Sequence, residues 1–189
     1  SSMSRVDPHL DPSTSSQGSL PVDGYGQDSV SELLGEWARV EPGLDVSTVG
    51  IAARLGRVRM RMAMRMDEVF AAHGLTAADF AAMSILRRRG EIPMHDLADG
   101  LYLTAGTVTP RVRRLVGRGL VSVRPALGDA RIRLVSLTDR GRSTFEAAVP
   151  EHLEAQRRAL RTLTPAQQSE LADLLALLLA DLEHDDSNP

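Results

Sequence analysis

Arginines crowd one stretch of the chain, and their guanidinium groups are the chemically most suggestive feature of the sequence. Between Ile85 and Arg142 there are twelve arginines and five acidic residues, a local balance of +7, whereas the whole chain carries a net charge of −3. A guanidinium group pairs with phosphate and can donate two hydrogen bonds to a guanine edge. Because local charge sets the electrostatic footprint of a phosphate-binding face, this stretch is the candidate for binding nucleic acid.

The first arginine-bearing element is a predicted helix that begins after Thr104, its N-cap, and ends at about Gly117. Val108, Val112 and Leu115 share one helical face and must pack inward. The other faces carry small polar residues near the N-terminus and arginines further along, and the candidate DNA contacts are Thr104, Thr107, Thr109, Pro110, Arg111, Arg113 and Arg114. Small residues let a helix approach base edges, and arginines neutralise phosphates. Pro110 forgoes one backbone hydrogen bond and is expected to kink this helix.

The second arginine-bearing element is a hairpin. Two short β-branched runs, Leu120–Arg124 and Arg131–Thr138, are joined by a turn whose tip is Gly128–Asp129. Arg131 and Arg133 are expected on one side of it. A charged outer face on an isolated helix is usually only a solvated surface, but a thin basic hairpin beside such a helix suits phosphate or a minor groove. Together the two elements favour DNA as the partner.

The elements that must position these arginines are helical. Ile92–Pro93 is predicted to open a short helix that closes at Gly100, and the tight turn Asp99–Leu103 then leads into the arginine helix, which is the helix-turn-helix arrangement. A preceding helix, from Ala77 to Arg88, has Thr76 as its N-cap. Its predicted buried residues are Phe80, Met83, Ile85 and Leu86.

Longer helices flank this unit and predict a homodimer. They are expected at Ser29–Val40, from Ser47 or Thr48 to about His73, from Asp139 to about Leu163, and from Thr164–Pro165 onward. Their apolar stripes, among them Leu171 to Leu182, Val149 and Leu153, exceed what a single chain could cover. The fold class is therefore mostly α, a winged helix-turn-helix with a helical dimerisation region from its N- and C-terminal helices, and an aromatic content of only 3% agrees with this.

The predicted organisation has five parts. Residues 1–27 and 185–189 form disordered tails, because they are rich in Ser, Pro, Asp and Gly and have little to bury. Residues 28–75 provide dimerisation helices and a candidate ligand pocket, residues 76–138 the winged helix-turn-helix, and residues 139–184 the C-terminal dimerisation helices.

Several function classes are not supported. The chain has no Cys, and its five His are isolated, so neither a disulfide nor a metal site is expected. There is no Gly-rich phosphate loop, nucleophile elbow or apolar carboxylate pair, so we predict no catalytic residues, no cofactor and no enzyme activity. No apolar run approaches the roughly 20 residues of a membrane span and no signal peptide is evident, which predicts a cytoplasmic protein without a membrane partner.

An ordered set of short motifs resembles the MarR (multiple antibiotic resistance regulator) family. The set comprises Leu103–Leu115 with its small-residue start, Gly119-Leu120-Val121, Asp129-Ala130-Arg131 and Leu137-Thr138-Asp139-Arg140-Gly141. The resemblance covers about residues 47–183. It implies a homodimer that binds a pseudo-palindromic DNA site, with Asp129 and Arg131 of the hairpin at or near the DNA. Repression by occluding a promoter is the implied output, and activation stays open.

The N-terminal extension resembles that of the urate-responsive branch of the family, whose pocket joins a Trp, an acidic residue and two arginines. Trp37 and Arg111 match this pattern, but Ala81 and Val123 occupy the other two positions. Urate is therefore not expected, and a different small aromatic or phenolic ligand, or none, is the prediction. Trp37 is more simply interpreted as a packing residue that anchors the extra helix.

Two other functions stay open from the sequence. A non-specific architectural DNA-binding protein would discriminate little between sequences, whereas a regulator discriminates by roughly 10³ or more. A helical scaffold that binds only protein would show no salt-dependent affinity for DNA.

Overall fold

The computed structural model describes residues 28–185, and both the predicted N-terminal tail and residues 186–189 lie outside that range. Asp185, predicted to lie in the C-terminal tail, is helical instead. The elements run in the order α1 (Ser29–Val40), α2 (Ser47–Ala72), α3 (Ala77–Arg89), β1 (Ile92–Pro93), α4 (Met94–Gly100), α5 (Ala105–Gly117), β2 (Val121–Pro125), β3 (Arg133–Leu137), α6 (Asp139–Ala159) and α7 (Pro165–Asp185). The mostly helical fold class is confirmed.

The chain divides into two compact units between Arg54 and Leu55. In the first unit, Asp28 caps α1 by accepting hydrogen bonds from the backbone N–H groups of Val30 (3.0 Å) and Ser31 (2.7 Å). Arg54 of α2 donates from Nε to the same carboxylate at 2.9 Å. These contacts lower the pKa of Asp28, first through the hydrogen bond from Arg54. The N-terminus of α1 is therefore tied to α2 by one shared carboxylate.

The second unit contains the hydrophobic core. The predicted buried side chains of α3 and the inward-facing residues of α5 are all at most 9% exposed: Phe80, Met83, Ile85, Leu86, Val108, Val112 and Leu115. Phe80 stacks between Phe70 of α2 and Phe145 of α6, with ring centroids 4.5 and 4.8 Å apart. The inward face of α5 and the three rings therefore belong to one hydrophobic core.

The sheet has the order β1-β3-β2, with both pairings antiparallel. The hairpin was predicted, and its strands are slightly shorter than expected. The prediction that Ile92–Pro93 opens a helix was wrong, because Ile92 pairs with Val135 of β3 and α4 begins only at Met94. A two-residue strand has no periodicity of its own, since it exists only through its distant partner.

Helix α6 begins at a Thr138 N-cap whose side chain accepts a hydrogen bond from Gly141 N at 3.0 Å. The predicted end at about Leu163 was too late, because α6 ends at Ala159 and Leu160 caps it. Helix α7 has no buried residue within the single chain.

Among residues 28–185 no single helix is long and apolar enough to cross a membrane; only α2 and α3 taken together, bent at their junction, reach that length and composition.

Candidate nucleic-acid interface

The turn between α4 and α5 is closed by backbone hydrogen bonds. Leu101 N and Leu103 N each donate to the Ala98 carbonyl, at 3.1 and 3.0 Å, and Tyr102 N donates to the Asp99 carbonyl at 3.0 Å. Tyr102 takes a left-handed conformation with φ 55°, and its side chain is 86% exposed. This turn fixes the angle at which α5 leaves α4, as a helix-turn-helix requires.

The N-terminal residues of α5 are exposed, and their side chains form hydrogen bonds with residues close by in the sequence. Thr104 was predicted to cap α5 but makes no side-chain cap bond; its Oγ1 lies 3.1 Å from Thr107 Oγ1 instead. Thr109 Oγ1 donates to the Ala105 carbonyl at 2.8 Å. Pro110 lies on the exposed side of a helix that is continuous from Ala105 to Gly117. The first turns of α5 therefore present short polar side chains and backbone N–H groups that Thr104 does not cap.

The four arginines of the predicted site and its flank have different surroundings. Arg113 is exposed and Arg111 is partly buried. Arg114 hydrogen-bonds through NH2 to Oδ1 of Asp79, and NH1 of Arg118 lies 3.6 Å from Oδ2 of the same residue; the predicted contact of Arg114 with DNA stays a prediction. The structure thus shows a protein partner for Arg114 that the sequence analysis missed.

Asp79 is 1% exposed and belongs to a capping box at the start of α3. Thr76 N donates to Asp79 Oδ2 at 3.0 Å, and Asp79 N donates to Thr76 Oγ1 at 3.1 Å. Burial would raise the pKa of the Asp79 carboxyl, but hydrogen bonds from Arg114 and from Thr76 outweigh it and hold the pKa below its ordinary value. The Thr-x-x-Asp spacing of a capping box was a signal for its local role, while the arginine partners carried no sequence signal.

The hairpin forms the predicted wing. Val123 pairs with Val135, and Pro125 with Arg133, so the two strands stay in register up to the loop. At the loop, Ala126 N donates to the Ile132 carbonyl at 2.9 Å. Asp129 and Arg131 are exposed at the tip, where the Asp129 carboxylate accepts a hydrogen bond from Arg131 N at 2.9 Å. Asp129 therefore shapes the wing tip, while the Arg131 side chain extends from it.

A second contact holds the base of the wing. Arg124 of β2 donates from Nε to Glu91 Oε2 at 2.9 Å and from NH2 to Oε1 of the same carboxylate. This two-point pairing joins the hairpin to the residue that precedes β1. Arg124 is thereby committed to Glu91, which leaves Arg131 and Arg133 as the exposed cations of the wing.

A largely apolar cavity of about 290 Å³ lies between α5 and the wing. Its lining residues are Met94, Thr109, Val112, Arg113, Val116, Val123 and Arg133. Val123, the position that departs from the urate-type pattern, is thus one of its apolar walls. Because Arg113 of α5 and Arg133 of β3 border the same cavity, the two basic elements of the candidate site are contiguous.

The two residues predicted to bind a ligand, Trp37 and Arg111, lie in different units. Trp37 is 41% exposed in α1 of the first unit, and Arg111 lies in α5 of the second. Their joint pocket stays a prediction. Among residues 28–185 no group of three His, Asp or Glu side chains is arranged to hold a metal ion.

The helix pair α4–α5, the turn between them and the β2–β3 hairpin define a winged helix-turn-helix protein. The chain belongs to the MarR family. Residues 75–132 match the MarR family profile. The transcriptional regulator PecS of Dickeya dadantii is 32% identical over 152 residues, a match that covers 79% of this chain and 90% of PecS.

Two solved structures show the same architecture. A probable transcriptional regulator from Pseudomonas aeruginosa is 33% identical with a TM-score of 0.62, covering 68% of this chain and 96% of its own. The Bordetella bronchiseptica protein BpsR, whose DNA binding is regulated by 6-hydroxynicotinic acid, is 27% identical with a TM-score of 0.62, covering 68% of this chain and 97% of its own. The chain is accordingly a MarR-family DNA-binding transcriptional regulator.

Proposed function

We propose that this protein is a sequence-specific repressor that binds a pseudo-palindromic operator in double-stranded DNA as a homodimer. The observation that carries the proposal is the continuity of α5 and the wing, where Arg113 and Arg133 border one cavity. The N-terminal turns of α5 are exposed and bear small polar groups suited to base edges. The wing bears Arg131 beyond them, within the reach of phosphate or a minor groove.

The homodimer is supported by α7. Its leucines are 38–73% exposed in the single chain, and they include Leu171, Leu174, Leu175, Leu177, Leu178, Leu179 and Leu182. An apolar surface of this extent on a lone chain marks an interface. In the proposed dimer two copies of α5 lie about one DNA turn, roughly 34 Å, apart and contact half-sites related by the dimer axis.

Release from DNA by a small ligand is part of the proposal. The cavity between α5 and the wing is apolar, includes the side chains of Arg113 and Arg133 in its lining, and at about 290 Å³ suits a compound of one or two rings. A small aromatic acid has the matching chemistry, because its ring would contact Val112 and Val123 while its carboxylate pairs with an arginine. The regulation of BpsR by 6-hydroxynicotinic acid agrees with this class of ligand.

The test is selection of bound duplexes from a random-sequence pool, followed by affinity measurements over a range of salt concentrations. The proposal expects an inverted repeat and a steep fall in affinity with salt. Recovery of random sequences with the same salt dependence would indicate an architectural DNA-binding protein. An absence of binding even at low salt would leave the protein-binding scaffold.

A further inference from the structure

We propose that the buried carboxylate of Asp79 is a positioning residue for DNA recognition, which fixes the rotation and the axial position of α5. The inference rests on the proposed function. It assigns Arg114, which the sequence predicted to contact DNA, and the neighbouring Arg118 to holding α5 in place.

The contacts all converge on the junction before α3. Arg114 lies in the last turn of α5, and Arg118 is the residue that caps it. Both reach Asp79, and Arg118 NH2 also donates to the carbonyl of Gly74. Two long side chains from one end of α5 are thus held by a carboxylate in the first turn of α3 and a carbonyl in the turn that precedes α3.

The carboxylate cannot move away from these arginines. Asp79 is 1% exposed, and the backbone of Thr76 binds the same side chain, so its position is set by the first turn of α3. The side chains of Arg114 and Arg118 are 51% and 37% exposed, so water can reach the cations but hardly the anion. A buried carboxylate needs its partners, because its desolvation is otherwise uncompensated.

The spacing of the arginines shows what this anchor controls. Arg111, Arg114 and Arg118 recur at i, i+3 and i+7, and therefore lie along one stripe of α5. Asp79 holds the last two members of the stripe. Rotation of α5 about its axis would break both contacts, so Asp79 also sets the direction of the first member, Arg111, and of the exposed N-terminal turns.

Removal of the Asp79 carboxylate should change the affinity for the preferred DNA in the direction opposite to that expected from loss of a negative charge alone. Asp79→Asn keeps an oxygen that can accept the Thr76 N–H but removes a negative charge close to α5. If charge alone mattered, affinity for every DNA would rise. A positioning role instead predicts weaker binding to the preferred sequence, with binding to random DNA unchanged or tighter.

The experiment compares Asp79→Asn, Arg114→Gln, the double variant and a charge-matched control, Asp99→Asn, which removes the same charge from an exposed position on α4. The probes are the duplex that the wild type selects from a random pool and a scrambled duplex of equal length. Circular dichroism and molar mass verify folding and assembly. We expect each of the two single variants to lose roughly tenfold in affinity for the selected duplex, the double variant to be no weaker, and Asp99→Asn to bind both probes at least as tightly as the wild type.

The dependence on salt separates positioning from phosphate contact. Arg114→Gln should keep the wild-type slope of log affinity against log salt, because Arg114 releases no counterion from DNA. A slope smaller by about one for Arg114→Gln, additive losses in the double variant, or wild-type affinity in Asp79→Asn overturns the inference and leaves the proposed function standing. A wild type that selects no duplex overturns the proposed function and this inference with it. If Asp79→Asn does not fold, the affinities of Arg114→Gln for the selected and the scrambled duplex, with their salt dependence, test the inference.

Discussion

Gly141 of α6 lies directly against Leu120, the residue that precedes β2, so that a Cβ added at Gly141 would stand 1.9 Å from the Leu120 carbonyl oxygen. The same carbonyl accepts a hydrogen bond from Thr138 N at 3.1 Å, and Thr138 Oγ1 donates to the Gly119 carbonyl at 2.7 Å. The Leu-Thr-x-x-Gly motif therefore forms a joint that fixes the first turn of α6 to the start of the wing.

Gly141→Ala should destabilise the protein by about 3 kcal/mol or more, because the methyl group has no space and its neighbour is backbone. The matched control is Gly117→Ala at the end of α5, where an added Cβ meets nothing within 4 Å. Thermal unfolding should show a large loss for the first variant and little change for the second. Equal thermal unfolding midpoints for the two variants would show that the contact between Gly141 and Leu120 is not tightly packed.

Tyr102 should be replaceable by glycine with a gain in stability. Its φ of 55° is unfavourable for a residue with a Cβ, and its side chain is 86% exposed and packs little. Tyr102→Gly should raise the free energy of unfolding by up to about 1 kcal/mol. Tyr102→Val should lower it, because a β-branched residue tolerates this conformation worst. Urea unfolding of both variants tests the prediction through the opposite signs.

Arg111→Ala and Arg131→Ala should each weaken binding to the selected duplex while the dimer stays intact. Arg131 is an exposed wing cation, so its loss should also reduce the salt slope by about one. Arg161→Ala, an exposed arginine just beyond α6, serves as the control and should bind normally. Gel shifts in which both site variants match the wild type would show that the interface is assigned to the wrong surface.

Charges placed on α7 should separate the proposed dimer. Leu174 and Leu178 are one helical turn apart and are 59% and 42% exposed in the single chain. The double variant Leu174→Glu/Leu178→Glu should therefore halve the molar mass measured by light scattering, since two carboxylates would be buried without partners. Ser169→Glu adds charge to an exposed position of the same helix and should leave the mass unchanged. A double variant that stays dimeric would place the interface elsewhere.

Mild acid should reduce stability through His152. Its ring lies 5.3 Å from that of Phe70 and 4.8 Å from that of Phe80, and burial lowers the pKa of His152. The unfolded chain takes up a proton near pH 6.5, as an unperturbed histidine does, while the folded state resists until the pH falls further. The free energy of unfolding should consequently decrease as the pH falls from about 6.5 to the lower folded-state value.

The measurement is urea unfolding at a series of pH values across that window. The groups that face His152 are the Gln156 amide, at 3.2 Å from its Nε2, and the two phenylalanine rings; His73 and Glu151 form a neighbouring pair, with His73 Nε2 and Glu151 Oε1 at 3.3 Å. His152→Phe should flatten the dependence on pH, and His95→Gln, at an exposed position, should not. An equally steep dependence in His152→Phe would show that His152 is not its source.

Local signals in the sequence determined most of the helices. Helix α1 runs from Ser29 to Val40 as predicted, and α3 follows its Thr76 cap, because caps and apolar periodicity act within a few residues. The inward face of α5 could be predicted from the sequence for the same reason. Helix ends without a strong stop signal were less certain, and α6 ended about one turn early.

The tertiary structure decided what depends on distant partners. Strand β1 exists only because β3 supplies its hydrogen bonds, and Arg114 pairs with Asp79, which lies far from it in sequence. A side chain's type states what it can bind, whereas its burial and neighbours determine which partner it takes. The sequence by itself thus determined the helix-turn-helix, the wing and their basic character. Only the tertiary structure brought Arg114 and Arg118 to the buried Asp79, because a buried carboxylate must be neutralised by nearby cations.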